Sequence, residues 1–299
     1  MATPAEIAAM RRAIAVSAAG LGTTSPNPPV GCVVIGADGQ ILGEGFHERK
    51  GEAHAEAQAL AAAGDLADCA TAIVTLEPCN HQGRTPPCRQ VLIDAGVRRV
   101  VIALADPTSR GEGGTAALRA AGIDVETDVL ADEAMTVLGS WLAATRTGRP
   151  IVIWPYLISG GSVSALLPGD MSSLQALHVN ADAVLHPDGS VSEAVPGSHG
   201  KGILNLPTLV PRNEPGRVAT SLYEAGVRIL LLSGGLSVAA PFLAEKLIDR
   251  VIAYLPDDKA SQRPDMSTPW PLLPPGFAIT KTDRIAGFVR VDAERDGSL

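Results

Sequence analysis

Short apolar runs alternate with helical patterns through the first half of the chain. Residues 30–35 (VGCVVI) have the length and apolar content of a buried strand. Ala37, Asp38, Gly39 and Gln40 follow, and their Asp-Gly pair marks a tight hairpin turn, so residues 41–46 predict the returning strand. Residues 54–63 are rich in Ala and Leu and stop at Gly64, which predicts a helix. Residues 72–76 predict a strand. Residues 87–95 predict a helix with Pro87 in its first turn and Gly96 after its end. A second buried strand covers 97–104, and a helix over 115–121 is closed by Gly122. Strands and helices in alternation, joined by short loops, imply a three-layer α/β/α domain.

A longer helical pattern covers residues 131–147, and Gly148, Arg149 and Pro150 break it. The domain boundary is placed there, giving domains 1–148 and 149–299. In the second half, 151–157, 227–232 and 249–255 predict strands and 238–246 a helix. The stretch 187–215 is rich in Gly, Pro, Ser and Asn and predicts a long loop, and the Pro-rich stretch 257–275 predicts irregular chain. No internal repeat is visible. At the start, Arg11 and Arg12 followed by an apolar stretch loosely resemble a twin-arginine export signal. Glu6 within the would-be basic region and the shortness of the apolar run favour an amphipathic helix over 4–19 instead.

Composition narrows the function classes. A chain of 299 residues, at roughly 100–200 per domain, holds two domains or one large one. With 46% hydrophobic and 19% charged residues it is not disordered, and with 3% aromatics its core must be aliphatic. A net charge of −8 speaks against a broad nucleic-acid surface, which needs a basic stripe. No apolar run approaches the roughly 20 residues of a membrane span. Four cysteines are too few for a disulfide framework. The expected setting is cytoplasmic and reduced, where free thiolates can bind metal.

The candidate chemistry lies between Asn27 and Cys88. His54, Ala55 and Glu56 have the form H-x-E. Glu77, Pro78 and Cys79 follow on the far side of a strand, and Cys88 opens a helix. One His and two Cys supply three zinc ligands and leave a fourth position open, the mark of a catalytic rather than a structural site. Zinc in such a site lowers the pKa of its water to about 7. A carboxylate that is not a ligand must then carry protons, and Glu56 is placed for it. Residues at i and i+2 diverge inside a regular helix, so His54 and Glu56 converge only if the metal lies beyond the helix start. H-x-E alone is a weak signal, since six histidines give roughly 0.3 such triplets by chance. Taken singly, His54 could be an ordinary histidine and the cysteines small buried hydrophobes. The ordered set has the form of the zinc deaminase signature, with eight residues rather than two between the cysteines.

That longer spacing is itself informative. Residues 75–88 (TLEPCNHQGRTPPC) closely resemble the deaminase of the bifunctional deaminase–reductase family of riboflavin biosynthesis. Residues 27–31 (NPPVG), 43–47 (GEGFH) and 105–107 (ADP) resemble further segments of that family. The resemblance covers about residues 5–147. It implies a cytidine-deaminase-like fold, zinc on His54, Cys79 and Cys88, and Glu56 as proton shuttle. It also implies the substrate, a diaminopyrimidinone carrying a ribosylamino 5′-phosphate, whose ring amine is replaced by oxygen with release of ammonia. Read from the residues, an anionic substrate on an acidic protein needs a local basic pocket. His81 and Arg84 lie in the loop between the cysteines with Arg89 just beyond, and Arg84 suits a bidentate phosphate contact. Asn27 can present donor and acceptor to a pyrimidine edge, and His47 can meet base or ribose. Residues 111–116 (GEGGTA) match the dinucleotide fingerprint G-x-G-x-x-A. No second strand ending in an acidic residue is evident, and dinucleotide binding there is not expected.

From about Arg149 onward the chain resembles the reductase domain of the same family, which implies a dihydrofolate-reductase-like α/β fold and a homodimer joined through it. The departures fall on polar positions. Pro155 stands near an expected lysine, Gly161 and Ser162 near an expected Asp-Gly, and Ser233 replaces a glutamate before Gly234 and Gly235. The paired aspartates expected after Leu185 are missing. Lost together, they imply a degenerate domain kept for folding or dimerisation and speak against NADPH as a cofactor. Three alternatives remain: the full bifunctional enzyme, a deaminase of a related pyrimidine in specialised metabolism, and a non-catalytic zinc scaffold. Glu56 argues against the last, since a structural site needs no shuttle carboxylate.

Overall fold

The computed structural model describes residues 1–82, 86–108, 113–159, 162–166, 177–257, 273–285 and 287–297. The chain divides into two compact units, Met1–Leu142 and Ala143–Leu299.

The first unit is built on a five-stranded sheet of order β2-β1-β3-β4-β5. Its strands are β1 (Gly31–Ile35), β2 (Ile41–Phe46), β3 (Thr71–Leu76), β4 (Arg99–Leu104) and β5 (Asp124–Glu126). β1 runs antiparallel to β2 and β3, whereas β3, β4 and β5 are mutually parallel. Successive side chains point to opposite faces of a strand, and on β1 they separate two cores. Cys32 and Val34 pack with Ala59, Leu60, Leu92 and Leu118, from α2 (Ala55–Ala63), α3 (Cys88–Asp94) and α4 (Gly114–Ala120). Val33 and Ile35 pack with Met10, Ala13 and Val137, from α1 (Pro4–Ser17) and α5 (Ala131–Thr147). Helices therefore cover both faces in three layers, as the alternating pattern predicts.

Local signals explain the ends of α1. Thr3 and Glu6 form a reciprocal capping box, with Pro4 at the first helical position. Arg11 pairs with Glu133 at 2.9 Å and Arg12 with Glu44 at 2.5 Å, so both arginines belong to the folded surface of this unit. Close packing between layers depends on glycines. A Cβ on Gly43 would lie 2.2 Å from the Ala59 carbonyl, and one on Gly45 would lie 2.5 Å from Gln58 Cβ. Helix α2 therefore lies directly on β2, and the GEGFH segment has a packing role besides any contact with a ligand.

The second unit carries an eight-stranded sheet of order β12-β13-β11-β6-β10-β8-β9, with β7 paired to β6 off this path. These strands are β6 (Ile151–Ser159), β7 (Ser162–Ser164), β8 (Ala183–Leu185), β9 (Val191–Glu193), β10 (Ile229–Leu232), β11 (Arg250–Pro256), β12 (Phe277–Ile285) and β13 (Phe288–Arg295). β10 is parallel to β6 and β8, and β11 is parallel to β6. Two helices, α6 (Pro215–Glu224) and α7 (Leu236–Ala244), pack Val218, Leu222, Val238 and Phe242 into a core with Val152, Trp154 and Leu230. Two features differ from the expectation. The stretch 187–215 is not all loop, because β9 pairs antiparallel with β8. A C-terminal hairpin, β12–β13, extends the sheet from β11. Of the Pro-rich stretch 257–275, residues 258–272 lie outside the described residues. Among the described residues no helix is long and apolar enough to cross a membrane.

Candidate metal centre and active site

Three loops bring the expected ligands together. His54 is the N-cap of α2, with extended backbone. Cys79 follows the end of β3, and Cys88 is the first residue of α3. One ligand atom from each lies within 4.8 Å of the others. His54 Nδ1 is 3.2 Å from Cys88 Sγ and 3.7 Å from Cys79 Sγ. The spacing difficulty of H-x-E is resolved as the sequence requires: His54 stands just before the helix and Glu56 in its first turn.

The donor set suits zinc, a borderline-soft ion that takes imidazole and thiolate ligands. The neighbours of Cys79 favour its thiolate. The Cys88 thiol donates to Cys79 Sγ, as does the Cys88 backbone N–H at 3.3 Å, and together with His54 they pull Cys79 down to about 4 against its burial. Cys88 is correspondingly pushed up as the proton holder of the pair. Glu56 is buried, at 3% exposure. Burial raises its carboxyl, and a charged Cys79 nearby raises it further, although His54 opposes both. A buried carboxyl lifted towards neutrality beside a metal site is suited to giving and taking protons.

The surrounding cavity is lined by Asn27, Pro28, Val30, His47, His54, Glu56, Leu76, Glu77, Cys79 and Asp106. His47 is buried and pushed down to about 4, chiefly by that burial, so it is neutral at pH 7. Its Nδ1 lies 3.2 Å from the Ala53 carbonyl, which can only accept, so Nδ1 carries the hydrogen. Nε2 then accepts from the Asn27 amide at 3.1 Å. Trp141 donates its indole N–H to the Pro26 carbonyl at 3.1 Å, fixing the turn that presents Asn27. Hydrogen bonds thus tie Asn27 and His47 to the residue preceding His54.

The basic loop is placed less fully. His81 is exposed and does not line the cavity, and Arg84 lies outside the described residues. Arg89 bonds Asn80 and, at 3.2 Å, the Gln90 side chain. Sequence reasoning singled out neither Glu77 nor Asp106 as site residues, although both stood inside quoted segments. Glu77 accepts from the Thr115 N–H at 2.9 Å and from the Asp106 N–H at 3.4 Å. A clue lay in the parallel strands: in register Leu76 pairs with Leu104, so the residues just beyond both ends must come close. The fingerprint at 111–116 is partly outside the described residues. Within it, a Cβ on Gly114 would lie 2.4 Å from the Pro78 carbonyl, so this glycine serves close packing.

In the second unit the turn Ser233–Gly234–Gly235 leads from β10 into α7. Gly234 has φ 154°, and a Cβ there would meet Val238 Cγ2 at 2.6 Å and Pro187 Cγ at 3.3 Å. Its carbonyl accepts the Trp154 indole N–H at 3.0 Å. The backbone of Val163, Ser164 and Ala165 lies 3.6–3.8 Å from the Cβ position of Gly235. A reductase would need a hydride donor, and a nucleotide phosphate would be expected at such a glycine turn. Here Val238 and Pro187 pack beside Gly234.

A three-layer α/β unit with a His-Cys-Cys centre and a buried glutamate defines a zinc-dependent deaminase of the cytidine deaminase class. The sequence model of the cytidine and deoxycytidylate deaminase zinc-binding region matches residues 5–104. The chain belongs to the family of the riboflavin biosynthesis protein RibD: it is 41% identical to the Mycobacterium tuberculosis member over 272 residues, covering 78% of this chain and 80% of that protein. With the Escherichia coli RibD it shares 50% identity over 144 residues, 48% of this chain and 39% of the relative. A solved diaminohydroxyphosphoribosylaminopyrimidine deaminase/5-amino-6-(5-phosphoribosylamino)uracil reductase from Thermotoga maritima superposes with a TM-score of 0.78 at 25% identity, over 97% of this chain and 99% of that one. An Acinetobacter baumannii RibD structure gives 0.75 at 26% identity, with the same coverage.

Proposed function

We propose that the first unit hydrolytically deaminates 2,5-diamino-6-ribosylamino-4(3H)-pyrimidinone 5′-phosphate in riboflavin biosynthesis. The observation that carries this reading is the pairing of a compact His54–Cys79–Cys88 ligand set with Glu56, a carboxyl that burial pushes up. Zinc, when bound by these three residues, supplies a water activated near neutral pH. Glu56, as a carboxylate, would take a proton from water and deliver it to the ring nitrogen beside the reacting carbon. It would then carry the proton of the added hydroxyl to the departing amine, so that C–NH2 becomes C=O and ammonia leaves. Asn27 and His47 orient the ring. Among the described residues, the carboxyl side chains lining the cavity around neutral His47 are Glu56, Glu77 and Asp106. That environment suits an amine-rich ring, and His81 and Arg84 are assigned to the phosphate on their chemistry alone.

The second unit is read as reductase-like but degenerate, with a role in folding and in a homodimer. Pro155 and Ser233, where the family resemblance expects lysine and glutamate, support this reading. Purified zinc-loaded protein incubated with the substrate, with and without NADPH, tests both readings. Ammonia release without NADPH oxidation is the expected result. Concurrent NADPH oxidation overturns the degenerate reading in favour of the bifunctional enzyme. No ammonia from zinc-loaded protein overturns the substrate and directs the search to related pyrimidines.

A further inference from the structure

We infer that Glu77 is a positioning residue, a carboxylate staple that joins the two loops walling the cavity and so sets substrate affinity through Asp106. The inference rests on the reading that this cavity takes the pyrimidine. Glu77 begins where β3 ends, and its own N–H donates to the Leu104 carbonyl at 2.8 Å, carrying the pairing with β4 one step past the strand. Its side chain then crosses to the next loop. Oε1 accepts the Thr115 N–H at 2.9 Å, and Oε2 accepts the Asp106 N–H at 3.4 Å. Asp106 in turn closes a local turn, its Oδ1 accepting the Thr108 N–H at 2.8 Å.

The same two loops also touch through backbone, since only a glycine fits at position 114 against the Pro78 carbonyl. Pro78 immediately precedes the ligand Cys79. One carboxylate thus holds Asp106 and the Cys79 turn in a common wall. Each of its oxygens accepts a backbone N–H, which fixes the Glu77 carboxylate in the cavity wall. The chemistry demands a carboxylate of this length. Glutamine keeps the shape but offers one acceptor and one donor, and its NH2 would face an N–H. Aspartate is one methylene short of spanning both donors.

The test uses full-length, zinc-loaded Glu77→Gln with Glu77→Asp as a second variant, and it has two readouts. Amide hydrogen exchange at Asp106 and Thr115 should accelerate about tenfold in Glu77→Gln, whatever the substrate. KM for the pyrimidine should rise roughly tenfold, with kcat changed less than about threefold and zinc content unaltered. Unchanged exchange overturns the staple. Faster exchange with unchanged KM overturns its role in affinity. Zinc loss with a matching fall in kcat overturns it as well and assigns Glu77 to the metal centre. A wild-type protein that releases no ammonia defeats the deamination reading alone, because the exchange readout still judges the staple.

Discussion

Each unit has a parallel strand leading through a pair of glycines into a helix, and the two turns are furnished in opposite ways. Gly113 and Gly114 open α4 against the Pro78 carbonyl, and Glu77, Cys79 and Asp106 stand beside them. Gly234 and Gly235 open α7 against Val238, Pro187 and the backbone of β7, with the Trp154 indole on the Gly234 carbonyl. One turn borders a cavity lined by titratable groups. The other has the apolar side chains of Val238 and Pro187 beside Gly234 and a hydrogen bond from Trp154 to its carbonyl. Backbone architecture at a strand end offers a place for ligands, and the side chains there decide whether it is used.

The largest effect expected from breaking this contrast lies at Glu56. Glu56→Gln keeps volume and removes proton transfer, so ammonia release should fall by about 10²- to 10⁴-fold with zinc still bound. Activity within tenfold of wild type, with metal content unchanged, would assign the proton transfers to another group. Next comes the packing that presents His54. Gly43→Ala places a methyl 2.2 Å from the Ala59 carbonyl, on the helix that His54 caps. A loss of about 1–3 kcal/mol in stability is expected, together with weaker zinc retention on dialysis. Unchanged stability and zinc affinity would show that β2 and α2 have slack between them.

The second turn answers to a different readout. Trp154→Phe leaves the buried Gly234 carbonyl without its indole donor and should cost the second unit about 1–3 kcal/mol. Deamination should stay within about twofold of wild type. A large fall in ammonia release with the fold intact would mean that this turn takes part in the chemistry of the first unit, and the contrast would fail.

The legible parts of the molecule were those that short segments specify. The metal ligands could be read because H-x-E, Pro-Cys and the later Cys each sit at an element boundary that Gly, Pro or apolar periodicity marks. The two-faced packing of β1 was readable as an uninterrupted apolar run. Glu77 and Asp106 were not identified as a pair because 29 residues separate them and only the register of β3 with β4 brings them together. The hairpin β12–β13 was missed for a related reason. Residues 277–285 (FAITKTDRI) are mostly exposed and carry no clean alternation, so β12 owes its form to pairing with β13 rather than to a buried face. β5 and β9, at three residues each, are too short for any periodic signal.

The smallest expected effect separates the stability of the first unit from its chemistry. Arg99 bonds Glu6 at 2.7 Å and also pairs with Asp124 and Glu126, joining α1 to the sheet. Burial alone would raise the Glu6 carboxyl, but the Thr3 N–H and the Arg99 guanidinium hold it below its ordinary value of 4.5. As pH falls through that value, the unfolded chain takes up the proton first. The stabilisation is therefore complete above about pH 4.5 and is lost as pH drops through the lower folded value. For a partly solvated pair the amount is of order 1 kcal/mol. Glu6→Gln preserves the helix cap, since glutamine also serves at this position. It should lose less stability than wild type between about pH 5 and 3 in urea titrations, while ammonia release at pH 7 stays within about twofold. Parallel acid losses in the two proteins would remove Glu6 from the acid response. A fall in activity at pH 7 would mean that α1 supports the metal centre as well as the sheet.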